Sequence, residues 1–91
     1  MAQLIIPTPL RKYTNNAATF NTEGFTIEQA IEELVTEYPE VKPHLLDATG
    51  KIRGFIKVFV GEDDIRSLDG DQTEIKEDTV VSIVPAIAGG I

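Results

Sequence analysis

The 91-residue chain contains no cysteine. Disulfides, thiolate metal sites and cysteine nucleophiles are excluded together. Histidine is nearly missing as well: His44 stands alone, and without a partner histidine or a cysteine it makes no recognisable zinc site or catalytic triad. It is expected to be structural or simply exposed. Basic residues are few, 8 against 15 acidic ones, for a formal net charge of −7. Such a chain has little with which to displace the counterions of a phosphate backbone, so nucleic acid is not expected as a partner. An acidic surface favours solubility, and it steers a protein toward basic patches on others. Long hydrophobic runs are absent too. The apolar stretch in "MAQLIIPTPLRK" is too short, and preceded by too little positive charge, for a signal peptide. No segment approaches the roughly 20 apolar residues of a membrane helix. No membrane role is expected, and the expected location is cytoplasmic.

The motifs of common catalytic sites are also missing. Gly89 and Gly90 are followed by one residue, Ile91, so no helix begins there to hold a phosphate. The acidic group Glu62, Asp63, Asp64, Asp69 and Asp71 does not follow the alternating ligand pattern of a calcium loop, with glycine at the sixth place and glutamate at the twelfth; solvated turns are expected instead. Paired carboxylates that work as acid and base need a pocket to separate their affinities, whereas Glu28, Glu32, Glu33 and Glu37 fall on one helix face and read as a wet surface. The chain is expected to be no enzyme, to hold no metal and to bind no cofactor of its own.

What is present is an ordinary globular composition, 42% hydrophobic and 25% charged, at a length that fits one domain with one modest core. "QLIIPTPL" reads as a short strand that ends, or lies at an edge, near Pro7 and Pro9. With a second short strand around Thr19 to Thr22, residues 3 to 22 are expected to form a hairpin with a long loop containing an Asn pair. In "FTIEQAIEELVTEYP", residues Ile27, Ala30, Ile31, Leu34, Val35 and Tyr38 recur at spacings of three and four and make one apolar stripe. Thr26 is the expected N-cap, Gln29 its reciprocal partner in a capping box, and Pro39 the stop.

"EVKPHLLDATGKIRG" reads as a connection with one helical turn at His44 to Leu46. "FIKVFVGEDDIR" then supplies a strand over Phe55 to Val60, a turn at Gly61 to Asp64 and a short return at Ile65 and Arg66. "TVVSIVP" is the last strand, closing at Pro85. One helix for four or five strands predicts an α+β fold in which the helix covers one face of a single sheet.

The closing stretch "PAIAGGI" is then divided from the rest: residues 1–85 form the domain and residues 86–91 an extended tail. The five residues Ala86 to Gly90 reach roughly 17 Å when extended, enough to enter another protein's cleft. Apart from Ile87 the side chains shrink toward Gly90, and glycine permits close approach because it has no Cβ.

"PAIAGG" after "VVSIV", with "FIKVFVGEDDIR" and the opening "IIPTPLRK", resembles the small sulfur-carrier proteins of the MoaD and ThiS group, and within it most nearly the CysO-type carriers of cysteine biosynthesis. The resemblance covers nearly the whole chain, and its most specific part is the terminal motif. It implies a β-grasp, ubiquitin-like fold. It also implies that an activating enzyme uses ATP to adenylate the terminal glycine and loads sulfur on it as a thiocarboxylate, after which a second enzyme consumes the sulfur. Carried over, Gly90 is the sulfur-bearing residue, Gly89 its slim neighbour, and Pro85, Ala86, Ile87 and Ala88 guide the tail. The CysO type implies a cysteine synthase as acceptor.

Ile91 departs from the pattern, since it occupies the place of the reactive carboxylate; removal by a JAMM-type zinc metalloprotease is the expectation. A second departure is "KEDT" at Lys76 to Thr79, where relatives commonly show a glycine turn. Cysteine biosynthesis ranks ahead of a small subunit of molybdopterin synthase. A ubiquitin-like modifier joined through the same glycine to lysines, and an interaction module in which Ile91 is a permanent block, remain as alternatives.

Overall fold

A computed structural model describes residues 1–85. Five strands form one mixed sheet: β1 (Ala2–Ile5), β2 (Thr19–Thr22), β3 (Ile56–Val60), β4 (Asp63–Asp64) and β5 (Val80–Pro85), in the order β2-β1-β5-β3-β4. β1 and β5 are parallel and every other pair is antiparallel. The long helix α1 (Ile27–Glu37) and a one-turn helix α2 (Lys42–Leu45) complete the regular structure, joined by short 3₁₀ turns. This is the expected β-grasp arrangement.

The core lies between α1 and one sheet face. Ile27, Ala30, Ile31 and Leu34 of the helix are buried against Leu4, Ile56, Val58, Val81 and Ile83 of the sheet, while Val35 and Tyr38 at the margin are half-buried. Thr26 caps the helix as expected, its hydroxyl accepting from the Gln29 N–H at 3.2 Å. The reciprocal bond differs by one residue: the Gln29 side-chain oxygen accepts from the Phe25 N–H at 2.8 Å, not from that of Thr26. Both bonds satisfy donors at a helix start that has no intrahelical acceptors for them.

Several expected boundaries shift, each for a local reason. β1 does end before Pro7, but it is an interior strand, flanked by β2 and β5. The turn placed at His44 to Leu46 is α2, beginning at Lys42, because Pro43 sits in its first turn, where a missing N–H costs nothing. The strand expected from Phe55 begins at Ile56, and Phe55 is exposed. The short return is made by Asp63 and Asp64, paired with Val60 and Phe59, whereas Ile65 and Arg66 belong to a 3₁₀ turn. In the hairpin loop, Asn15 and Asn16 take left-handed φ values of 56° and 66°, a conformation that asparagine tolerates better than most residues. "KEDT" closes without glycine: the Thr79 N–H donates to the Lys76 carbonyl at 3.0 Å and the Lys76 N–H to the Thr79 hydroxyl at 2.8 Å.

Candidate functional site

The expected reactive end, Ala86, Ile87, Ala88, Gly89, Gly90 and Ile91, lies outside the described residues. What is described is its root. β5 runs through the middle of the sheet and ends at Pro85, which is half-buried opposite Ile56 of β3. A proline in an interior strand normally removes a ladder bond. Here the phase of the ladder avoids the loss. The Gly61 N–H donates to the Val80 carbonyl, so in this register Val80, Ser82 and Val84 face β3, and Pro85 turns its nitrogen to the other side. On that side β1 pairs with β5 only as far as Ser82. Pro85 therefore ends β5 beyond the last residue that β1 pairs with, and no partner is left without a donor.

The sheet face away from α1 is open. Along β5, Val81 and Ile83 are buried, while Val80 and Val84 on the open side are 45% and 42% exposed. Val84 lies opposite Lys57 and Ser82 opposite half-buried Phe59, so the strand that leads into the tail presents a small apolar surface with a lysine beside it.

The antiparallel pairing also decides which charged residues lie near each end of β3. Because β3 and β5 are antiparallel, Pro85 lies at the end of the sheet where β3 begins, near Arg53 and Lys57. Arg66 is brought toward the same end, donating to the Gly54 carbonyl at 2.9 Å, and Arg53 donates to the Pro43 carbonyl at 2.7 Å. Glu62 and Asp63 lie at the opposite end, after Val60. Lys57, opposite Val84, is the basic residue that the register sets beside the end of β5.

The remaining candidates have structural roles. His44 stacks on Tyr13 with ring centroids 4.0 Å apart and planes 16° from parallel. Asp64 accepts from the Arg66 N–H at 2.9 Å and caps a 3₁₀ turn. Among the described residues no three His, Asp or Glu side chains are grouped to hold a metal ion, and no helix is long and apolar enough to cross a membrane. The Asp47 carboxyl is held below its ordinary affinity. Its Oδ1 accepts from the Thr49 hydroxyl at 2.6 Å, the largest cause, and from the N–H groups of Lys51 and Thr49 at 3.1 and 2.9 Å, with Arg53 adding a smaller attraction. These bonds pin a loop turn and prepare no proton transfer. Of the glutamates on α1, Glu33 departs from the expected wet face: it is half-buried and accepts from the Glu23 N–H at 3.2 Å.

The comparisons with known proteins agree with this architecture. The model of the ThiS family matches residues 4–90. The sulfur carrier protein CysO of Mycobacterium bovis is 33% identical over 87 residues, spanning 93% of this chain and 94% of that one. A chain in the crystal structure of the Amycolatopsis orientalis BexX/CysO complex superposes with a TM-score of 0.89 at 30% identity, over 99% of this chain and all of that one. The small archaeal modifier protein 1 of Methanosarcina acetivorans superposes with a TM-score of 0.84 at 21% identity, over 98% and 95% of the two chains; at that identity the likeness concerns the fold.

Proposed function

From the premise that this chain belongs to the ThiS family, we propose that it is a sulfur carrier whose working group is the main-chain carboxyl of Gly90. The observation that carries the reading is that the residues preceding Ala86 form an interior strand, β5, with Val80 and Val84 exposed along it. An enzyme that takes the tail into its cleft meets these valines at the same time.

The chemistry needs an acyl group and no side chain of the carrier. Hydrolysis of the Gly90–Ile91 peptide bond, assigned to a JAMM-type zinc metalloprotease, exposes the Gly90 carboxylate. The activating enzyme then joins this carboxylate to the α-phosphorus of ATP and pyrophosphate leaves. A sulfide-equivalent nucleophile attacks the acyl carbon, AMP departs with the electron pair, and a thiocarboxylate remains. The carrier binds no cofactor; ATP belongs to the activating enzyme. The acceptor is a cysteine synthase working on an activated serine, so the sulfur goes to cysteine biosynthesis. That the superposed Amycolatopsis chain comes from the BexX/CysO complex supports a carrier that works by docking to larger proteins.

The test compares the full chain with a form ending at Gly90, each incubated with the activating enzyme, ATP and sulfide. Pyrophosphate release and the mass change of one oxygen replaced by sulfur are expected for the shorter form only. Adenylation of neither form, or of both equally, overturns the reading. Isopeptide-linked Gly90 on other proteins would point to a modifier, and stable co-purification with a molybdopterin synthase large subunit to that pathway.

A further inference from the structure

The two edges of the sheet are unlike. β4 is two residues long, both aspartates, so it is short and charged, two devices that keep an edge from pairing with other chains. β2 has neither protection. Its residues Thr19–Thr22 are neutral, as are Ala17 and Ala18 before them, and among the described residues it pairs with β1 alone. The Ile6 N–H donates to the Ala18 carbonyl at 2.8 Å, and the register runs through Leu4↔Phe20 and Ala2↔Thr22. In that phase Thr19 and Asn21 turn their N–H and C=O groups away from β1. Both residues are exposed, and among the described residues neither backbone N–H finds another backbone partner. The next outward N–H, that of Glu23, is taken by the Glu33 carboxylate.

Beside this edge, between β2 and α1, runs an open groove of about 510 Å³ with Phe20 in its lining and Glu23, Glu32, Glu33 and Glu37 along it. From Tyr13 to Val41 the chain has six glutamates and no lysine or arginine. We infer that the β2 edge and this groove receive an extended, lysine- or arginine-bearing segment of a partner protein, which adds a sixth strand to the sheet. Backbone bonds to Thr19 and Asn21 would fix the segment. Its alternate residues would face the groove, laying aliphatic stems over Phe20 while their charged ends meet Glu33 and Glu37. Charge complementarity selects the occupant, since a second copy of this acidic chain would bring like charge into the groove.

β2 is separated from β5 by one strand, a lateral distance of about 10 Å. A partner held there leaves the open sheet face and the tail root available, so the inference does not depend on the carrier reading and survives its failure.

The test titrates the isotope-labelled full chain with a blocked heptapeptide alternating lysine and valine, and separately with its glutamate–valine counterpart. With the lysine peptide, NMR shift changes are expected at Thr19 to Glu23 and along the groove side of α1, with slowed hydrogen exchange at the Thr19 and Asn21 amides. The glutamate peptide should leave them unmoved. Asn21→Pro removes one outward donor without changing charge, and an edge strand tolerates it; it should weaken binding at least tenfold, as should Glu33→Lys combined with Glu37→Lys. The inference falls if Asn21→Pro binds as tightly as the unaltered chain, if the glutamate peptide binds equally, if shifts appear only at other acidic surfaces, or if none appear up to the solubility of the peptide. Should Asn21→Pro fail to fold, unchanged exchange at Thr19 and Asn21 in the unaltered chain is by itself enough to overturn it.

Discussion

Gly24 and Gly54 make opposite predictions from the same substitution. At Gly24, where the chain leaves β2 for α1, an added Cβ would lie 2.9 Å from the Ala30 nitrogen, 2.9 Å from the Gln29 Cβ and 3.1 Å from the Gln29 carbonyl carbon. Ordinary contact begins at 3.4 Å, so the first turn of α1 must retreat by about 0.5 Å against backbone atoms that cannot swing aside. That retreat strains the 3.2 Å bond from the Gln29 N–H to Thr26 and the 2.8 Å bond from the Phe25 N–H to Gln29. Overpacking of this kind costs about 1–3 kcal/mol, offset by the roughly 0.4–1 kcal/mol that alanine contributes by restricting the unfolded chain. Gly24→Ala should therefore destabilise by about 1–2 kcal/mol.

At Gly54 nothing lies within 4 Å of the added Cβ, and Gly54 is not among the glycines with positive φ. Only the unfolded-state effect remains there, and Gly54→Ala should stabilise by about 0.4–1 kcal/mol. With an unfolding entropy of about 2.1 cal/mol/K per residue, the Tm falls by about 5–10 °C for Gly24→Ala and rises by about 2–5 °C for Gly54→Ala. Thermal unfolding followed by circular dichroism at several protein concentrations resolves both shifts. A Gly24→Ala protein as stable as the original refutes the steric argument. A Gly54→Ala protein destabilised to the same degree refutes the claim that position decides the sign.

Two further outcomes follow from the surface. Val84→Asp, on the open face beside Lys57, should change stability by no more than about 0.5 kcal/mol yet lower kcat/KM for adenylation of the Gly90-ending form about tenfold, as loss of one good interface contact does; an unchanged kcat/KM would mean the enzyme holds the tail without touching this face. Asp47→Asn removes a carboxylate whose proton affinity is depressed in the folded state by the Thr49 hydroxyl and neighbouring N–H groups. The stability such a group confers is present above its unfolded pKa, about 3.9, and is lost as pH falls through the lower folded value. The Tm gap between the two proteins should accordingly be widest near about pH 7 and shrink below about pH 4, and a gap that stays constant or widens in acid contradicts the assignment.

The sequence was most legible where one local rule decided the structure. The α1 stripe needs only helical periodicity, and its four most central positions, Ile27, Ala30, Ile31 and Leu34, are the buried ones. Thr26 announced the cap, and the β-branched run of β3 announced a strand. Legibility failed where two rules competed. Pro43 reads as a breaker, yet its place in a first turn makes it compatible with α2. Asp63 and Asp64 read as turn residues because strands seldom carry aspartate, but β4 pairs through its backbone at an edge where charge is an advantage. Nothing local reveals that β1 lies parallel to β5, some eighty residues along the chain, or that the neutral β2 edge borders the acidic face of α1. Those are facts of assembly, and the groove they create appears only once the sheet is built.

Chemistry at a main-chain carboxyl makes an unusual demand on a fold. No side chain needs a displaced pKa, and no pocket has to enclose a substrate; the fold has only to give the reacting segment a fixed point of departure. β5 meets that demand by position. β1 pairs with it as far as Ser82 and β3 as far as Pro85, while Val81 and Ile83 anchor it into the core, so the last residue of the strand cannot shift without breaking a ladder on one side or opening the core beneath. If the Gly90 carboxyl is the working group, as proposed, stability and function are separated along the chain. A core substitution that leaves the chain folded should change how much carrier is available and leave the reactivity of the carboxyl as it was. A substitution in the tail should do the reverse, abolishing loading in a protein that unfolds at its original temperature.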